Sequence, residues 1–287
     1  MKKLTVISGK GGTGKTTMTA NFSALAENHV IADCDVDAPN MHLLLKPEVQ
    51  KEEEFSGGKI AVRNARKCTD CGLCYKHCRF NAVNEDFSIN PFKCEGCSVC
   101  AEVCPEDAIE MKPDLTGHVY HSNTKFAPMI HARLKAGAEN SGKLVTEVRD
   151  IAEKRAKEKD KELVLVDGSP GIGCPVIASL NGVDMALIVT EPTKSGLSDL
   201  KRVLEMIEHF DLTASVVINK YDLNENMADN IEKFCDDNNI EVLARIPYSP
   251  VFVELLREGR LLVEEKRDSQ IGQLLQSLWS DILEILD

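Results

Sequence analysis

Residues 8–17 read SGKGGTGKTT, from Ser8 to Thr17. Four residues separate Gly9 from Gly14-Lys15-Thr16, the spacing of a phosphate-binding loop. An apolar run, Leu4-Thr5-Val6-Ile7, leads into it, and a helical pattern containing Ala20, Phe22 and Leu25 begins near Lys15. Strand, loop and helix in that order are what such a loop needs. Gly9, Gly11, Gly12, Thr13 and Gly14 let backbone N–H groups turn onto phosphate oxygens. The helix N-terminus, through Thr17, adds its partial positive charge. Lys15 is placed to reach the β and γ phosphates and Thr16 to ligate Mg²⁺. Lys10 is a second lysine that a phosphate cradle does not require.

Around this loop the chain reads as an α/β fold. Residues 2–8, 29–33, 162–167, 184–190, 213–219 and 240–246 are short β-rich runs, largely continuous in apolar character, as strands covered on both faces should be. Helical patterns such as 197–210 and 226–238 lie between the later ones, which predicts a mostly parallel sheet with right-handed crossovers and helices on its faces. After the second run the alternation breaks. A Lys/Glu stretch, a Gly57-Gly58 pair and a cysteine-rich segment follow, and residues 115–131 read as a two-stranded return. The expected organisation is one P-loop domain, 1–57 and 114–287, with a small α+β insert at 58–113. The charged run 147–162 reads as a solvated helix face.

The 287 residues carry 34 basic and 46 acidic side chains, and a net charge of −12 argues against a general binder of nucleic acid or anionic membrane. No long apolar run and no signal-like N-terminus is evident, so a cytoplasmic protein is expected. In that compartment the 11 cysteines are not expected to form disulfides. Eight of them fall between positions 68 and 104, which points to metal.

Those eight form a repeat. Lys67 and the following CTDCGLCYKHCRFNAV (68–83) overlay Lys93 and CEGCSVCAEVCPEDAI (94–109) at an offset of 26, with all four cysteines in register. Each half has the spacing C-x₂-C-x₂-C-x₃-C, which matches the bacterial ferredoxin run for two [4Fe–4S] clusters, in which the fourth cysteine serves the other cluster. That resemblance implies one cluster on Cys68, Cys71, Cys74 and Cys104 and a second on Cys94, Cys97, Cys100 and Cys78. Structural zinc is the alternative, although it does not need two tandem three-cysteine runs with distant fourths. Arg79 stands where the first run would carry proline. As a cation beside a cluster it would raise the potential; equally, it only adjusts the turn.

With Lys10 included, the loop KGGTGKT resembles the deviant P-loop of the MinD/ParA superfamily, whose relatives include the nitrogenase iron protein and Mrp-type iron–sulfur carriers. The resemblance implies that Lys10 reaches the nucleotide of a partner chain, so that the ATPase works as an ATP-dependent homodimer or as a heterodimer with a paralogue. It extends to Asp33-Cys-Asp35-Val-Asp37-Ala-Pro-Asn40, where Asp35 matches the carboxylate that orients the attacking water, while Asp33 and Asp37 are open to turn or strand-end roles. It also covers Leu163-Val-Leu-Val-Asp167-Gly-Ser-Pro-Gly171, which places Asp167 on the Mg²⁺ hydration shell. Asn219, closing Val216-Val-Ile-Asn219, matches the base-contacting asparagine, and Ile246-Pro247-Tyr248 resembles the adenine-flanking segment. Asn219-Lys220-Tyr221-Asp222 also spells the guanine-selecting N-K-x-D of GTPases, so GTP stays open beside the favoured ATP.

Together the resemblances imply an Mg-ATP-dependent ATP hydrolase whose cycle is coupled to electron transfer through the two clusters to a redox or apo-metalloprotein partner. A carrier for iron–sulfur or metallocofactor assembly and a positioning ATPase with structural or sensory clusters are the alternatives. Cys34, Cys174 and Cys235 read as buried thiols, although the first two flank the switch segments. His118, His121 and His131 read as hairpin packing or surface residues. The amphipathic segment 271–286 carries Asp281 and Glu284 rather than the basic residues a membrane helix wants, which favours a helix packed on the sheet.

Overall fold

A computed structural model of the protein describes residues 1–135, 137–138 and 141–287. Two compact units emerge. The first comprises Met1–Glu53, Val119–Arg133 and Ser141–Asp287; the second comprises Glu54–His118 and Leu134–Asn140.

The first unit is built on parallel strands. β1 (Lys2–Ser8) lies between β6 (Leu163–Pro170) and β7 (Met185–Thr190), with β2 (His29–Asp33) beyond β6 and with β8 (Thr213–Asn219) and β9 (Glu241–Ile246) beyond β7. β5 (Pro128–Leu134) joins β2 in parallel, and β4 (Ile109–Asn123) and β3 (Glu48–Arg63) complete the order β3-β4-β5-β2-β6-β1-β7-β8-β9. The β3-β4-β5 part is antiparallel. The expected fold class is therefore the one observed.

Alternating side chains fill both faces of the parallel strands. Leu4, Val6, Leu165, Leu187 and Ile246 enter one buried cluster, while Ile7, Ala186, Ile188, Val216 and Ile218 enter the other. Burial on both faces is why these strands read as continuous apolar runs. Helices Lys15–Leu25 and Gln270–Leu286 cover the first face through Met18, Phe22, Leu275, Trp279 and Ile282. Phe22 and Trp279 stack with centroids 5.3 Å apart, so the C-terminal amphipathic segment is a packed helix as expected. No helix among the described residues is long and apolar enough to cross a membrane.

One feature differs from the expectation and one refines it. The Lys/Glu stretch is the start of β3, a strand of 16 residues that is largely exposed, and the expected limits 58 and 113 fall inside β3 and β4. The charged run belongs to helix Ser141–Glu158, whose Leu144, Val145, Val148, Ala152 and Ala156 are buried, so only one face of it is solvated. Arg149 is buried there as well, and donates from Nη1 to the Ala178 carbonyl at 2.6 Å.

Candidate functional site

Parallel packing brings the carboxyl ends of β1, β2, β6, β8 and β9 together, where open α/β sheets bind ligands. Ser8, Asp33, Asp167, Asn219 and Ile246 stand at or near those ends. The loop after β1 turns through Gly12 and Gly14, with φ of 81° and 98°. Gly14 has a second constraint, because a Cβ there would stand 2.4 Å from Asn219 Nδ2. Helix Lys15–Leu25 then starts with its free N–H groups facing the loop.

Asp167 organises the base of the cradle. It is fully buried and forms an ion pair with Lys15 Nζ at 2.8 Å. Its two oxygens also accept hydrogen bonds from Thr16 Oγ1 (2.7 Å) and Thr19 Oγ1 (2.9 Å). Asp33 lies beside it in strand register. Burial, and then the neighbouring Asp167 carboxylate, raise the pKa of Asp33 well above the usual carboxylate range. Asp33 Oδ2 and Thr13 Oγ1 are buried without a protein partner, so the cradle keeps an acceptor and a hydroxyl for something outside the chain.

Above these residues opens a cleft of about 800 Å³. Residues Gly11 to Thr17 line it with Asp35, Asp37, Ser169 and Pro170. Asp35 is mostly buried; burial is the main reason its pKa is raised, and its Oδ1 accepts the Ala38 N–H at 3.3 Å. The two switch segments are tied together, with Cys34 N–H donating to the Asp167 carbonyl at 2.8 Å and Ser169 Oγ to the Cys34 carbonyl at 2.6 Å. Cys34 and Cys235 are buried, and burial pushes the Cys235 thiol up to about 12; Cys174, expected to be buried, is exposed at the start of helix Cys174–Leu180.

A smaller pocket of about 180 Å³ adjoins, lined by Gly12, Met18, Asn219, Pro247, Tyr248 and Phe252 among others. Asn219 Nδ2 donates to the Thr13 carbonyl at 2.7 Å, so this amide props the loop while facing the pocket. The Asp222 carboxylate accepts the Tyr248 backbone N–H at 2.6 Å.

Lys10 is turned away from the cleft lining. Its Nζ pairs with Glu191 at 2.5 Å and contacts Ser195 Oγ at 2.9 Å. Glu191 also faces Lys220 Nζ at 3.4 Å, and Lys220 donates to the Gly12 carbonyl at 2.9 Å. Burial alone would raise the pKa of Glu191, but Lys10 and Lys220 more than offset it and the net shift is downward. Sequence reading missed Glu191; its signal is an acid directly after the apolar run of β7.

The second unit holds the eight cysteines in two cavities. Cys68, Cys71, Cys74 and Cys104 line one; Cys94, Cys97, Cys100 and Cys78 line the other. The halves mirror each other at the offset of 26. Asn64 N–H donates to Ala108 O and Asn90 N–H to Ala82 O, both at 2.7 Å. The sulfurs of Cys78 and Cys104 accept the N–H groups of Ala82 and Ala108, both at 3.3 Å. Among the described residues no group of three or more His, Cys, Asp or Glu is placed to hold a single metal ion. The thiols instead surround a space. Arg79 is exposed and lines neither cavity. Arg63 lines the first, and the sequence carried no mark of it. Of the three histidines read as packing or surface residues, His131 is buried beside Ser122 Oγ at 2.9 Å and His121 faces Glu53 at 3.0 Å.

Residues 4–263 match the family model for the CobQ/CobB/MinD/ParA nucleotide binding domain. An uncharacterized protein of Methanocaldococcus jannaschii is 33% identical over 287 residues, covering 99% of this chain and 97% of its own. The pyruvate synthase subunit PorD of Thermotoga maritima is 33% identical over 75 residues, 24% of this chain and 76% of PorD. The septum site-determining protein MinD of Pyrococcus horikoshii, solved with Mg-ADP, superposes with a TM-score of 0.61 at 19% identity, covering 98% of this chain and 95% of that one. The phosphate cradle and the parallel sheet that carries it thus fit one family: the fold is that of MinD, and this chain belongs to the CobQ/CobB/MinD/ParA family of nucleotide binding domains.

Proposed function

We propose that the protein is an Mg-ATP-dependent dimeric ATPase that couples its nucleotide cycle to electron transfer through two [4Fe–4S] clusters. The observation that carries this reading is the sorting of eight cysteines into two cavities of four, each with three thiols from one half-repeat and one from the other, on a chain that also holds a P-loop. Four thiolates around a space are the donor set of a cubane, and backbone N–H groups already point at the sulfurs of Cys78 and Cys104. Such a cluster, when bound, supplies a one-electron couple. The similarity of part of the chain to a pyruvate synthase subunit supports a redox role over a purely structural one.

On the nucleotide side, the loop N–H groups and Lys15 bind phosphates, Thr16 and Asp167 hold Mg²⁺, and Asp35, which lines the cleft, orients the attacking water by accepting its hydrogen bond. Lys10 completes a partner's site. The chain runs from the switch segment 33–40 through helix Met41–Leu45 straight into β3, which enters the cysteine-bearing unit, so the two functions share one covalent path.

The test is anaerobic purification with iron and sulfide counting, then an EPR-monitored redox titration with ATP, with ADP and without nucleotide. About eight iron and eight sulfide per chain are expected, with midpoints that move on ATP binding. Stoichiometric zinc would overturn the cluster assignment. Identical spectra and midpoints with and without ATP, in protein shown to bind it, would overturn the coupling.

A further inference from the structure

The mirrored construction of the second unit permits a position-by-position comparison of its two cavities. At an offset of 26 every residue lining the first cavity has a counterpart lining the second: Leu73 answers to Val99, Glu106 to Phe80, and Phe87 to Ala61. The cavities therefore differ by identifiable substitutions in one framework. Each contains one carboxylate, Glu106 in the first and Glu95 in the second, and these offset each other in the comparison. Arg63 does not cancel, because its mirror position is Ile89.

Arg63 is also held in place. One guanidinium nitrogen contacts Asp70 at 2.6 Å, another donates to the Asp86 carbonyl at 2.7 Å, and the group lies over the Phe87 ring at 5.7 Å from its centroid. Asp70 is 62% exposed and Arg63 only 19%, so water screens the anion of this pair more than the cation. Arg63 Nε is buried and donates to no protein acceptor. The guanidinium lies beside the Cys68 thiol, and its left-over buried N–H in a cavity of four thiols fits a hydrogen bond to cluster sulfur.

Resting on the cluster reading above, we propose that Arg63 makes the two centres unequal: it sets the reduction potential of the one held by Cys68, Cys71, Cys74 and Cys104 above that of the one held by Cys94, Cys97, Cys100 and Cys78. A fixed cation and an N–H donor both stabilise the more negative, reduced form of a cluster. The first cavity is then where an added electron rests, and the second is the site it leaves more readily. Arg63 is a positioning and tuning residue with no bond to iron.

The experiment is an anaerobic EPR redox titration of the full chain, wild type against Arg63→Ile, Arg63→Lys and Ile89→Arg, with iron and sulfide counted in each. The wild type should show two separate midpoints. Arg63→Ile installs the residue of the mirrored position; it should lower only the upper midpoint, cutting the ratio of reduced to oxidised cluster at fixed potential about tenfold, ~59 mV for a one-electron centre. Arg63→Lys should restore part of that shift. Ile89→Arg should raise the lower midpoint, and it tests the idea even where Arg63→Ile fails to fold. Coincident midpoints in the wild type, or variants with full iron whose midpoints stay put, would overturn the role of Arg63 and leave the cluster reading standing. A wild-type chain without iron and sulfide would overturn both.

Discussion

Lys10 and Glu191 form a 2.5 Å ion pair within one chain, so the lysine assigned by resemblance to a partner's nucleotide is parked on its own surface. Engaging a second chain then exchanges one carboxylate for a phosphate. Lys10→Ala should leave nucleotide binding largely intact and slow hydrolysis by about 10³-fold, the lower range for a cation supplied to phosphoryl transfer. Lys15→Ala should abolish binding instead. Glu191→Gln frees Lys10 and should lower the protein concentration at which ATPase activity per chain saturates. Fluorescent-nucleotide titration and activity against protein concentration check all three. Normal hydrolysis by the Lys10 variant would contradict the assignment.

Asp167, itself fully buried beneath the cleft, answers Lys15, Thr16 and Thr19 at once. Asp167→Asn leaves the Lys15 charge buried and unpaired, which should cost about 3–5 kcal/mol in the nucleotide-free protein. Denaturant unfolding measures this directly. The same variant should lose the Mg²⁺ dependence of nucleotide binding.

Acid should destabilise the fold through two histidines. Burial is the chief cause that lowers His29 and His131 from 6.5 to about 4. Between those values the unfolded chain takes up protons that the folded chain does not. Stability is therefore full above pH 6.5, falls as the pH drops towards 4 and levels off below it, by about 3 kcal/mol per histidine. His29→Leu should flatten roughly half of that slope in urea titrations run across the window. An unchanged slope would mean that His29 is not the group responsible.

The N-K-x-D sequence invites a guanine reading, yet Asp222 holds the Tyr248 N–H at the edge of the smaller pocket, which Asn219 and Pro247 also line. Asp222→Ala should weaken ATP binding modestly, by about 1.5 kcal/mol for a lost charged hydrogen bond, and leave the preference for ATP over GTP unchanged. Competition binding with both nucleotides decides it. A selective loss of GTP affinity would restore the guanine reading.

Trp279 is the only tryptophan and is buried against Phe22. Its emission should be blue-shifted, should not change when anionic vesicles are added, and should move to the red in one step on unfolding. Trp279→Ala should cost about 3–5 kcal/mol.

What could be read from the sequence followed from burial on both faces. The strands beginning at Lys2, His29 and Thr213 announce themselves because most of the residues facing either layer of helices are apolar, the buried exceptions being a few such as Thr5, His29 and Ser215. The Lys51-Glu52-Glu53-Glu54 part of β3 is largely exposed, so no period marks it as strand. The cysteine sets were legible because ligand spacing is local and repeated. Glu191 and Arg63 were not, since each meets its partners through the fold: Glu191 lies 181 positions from Lys10 in the chain, and Arg63 takes meaning only when its mirror, Ile89, is seen lining the other cavity.

The mirrored hydrogen bonds of Asn64 and Asn90 carry a consequence for how this unit came to exist and how it can be cut. Each half-repeat lends the other its last thiol, Cys78 in one direction and Cys104 in the other. A fragment with one half alone keeps three thiols around its own space and a fourth with nothing to close. The duplication is thus interlocked: neither copy can be lost or shortened while the other goes on working, and only two copies of a half, trading thiols as a symmetric pair, could stand in for the whole.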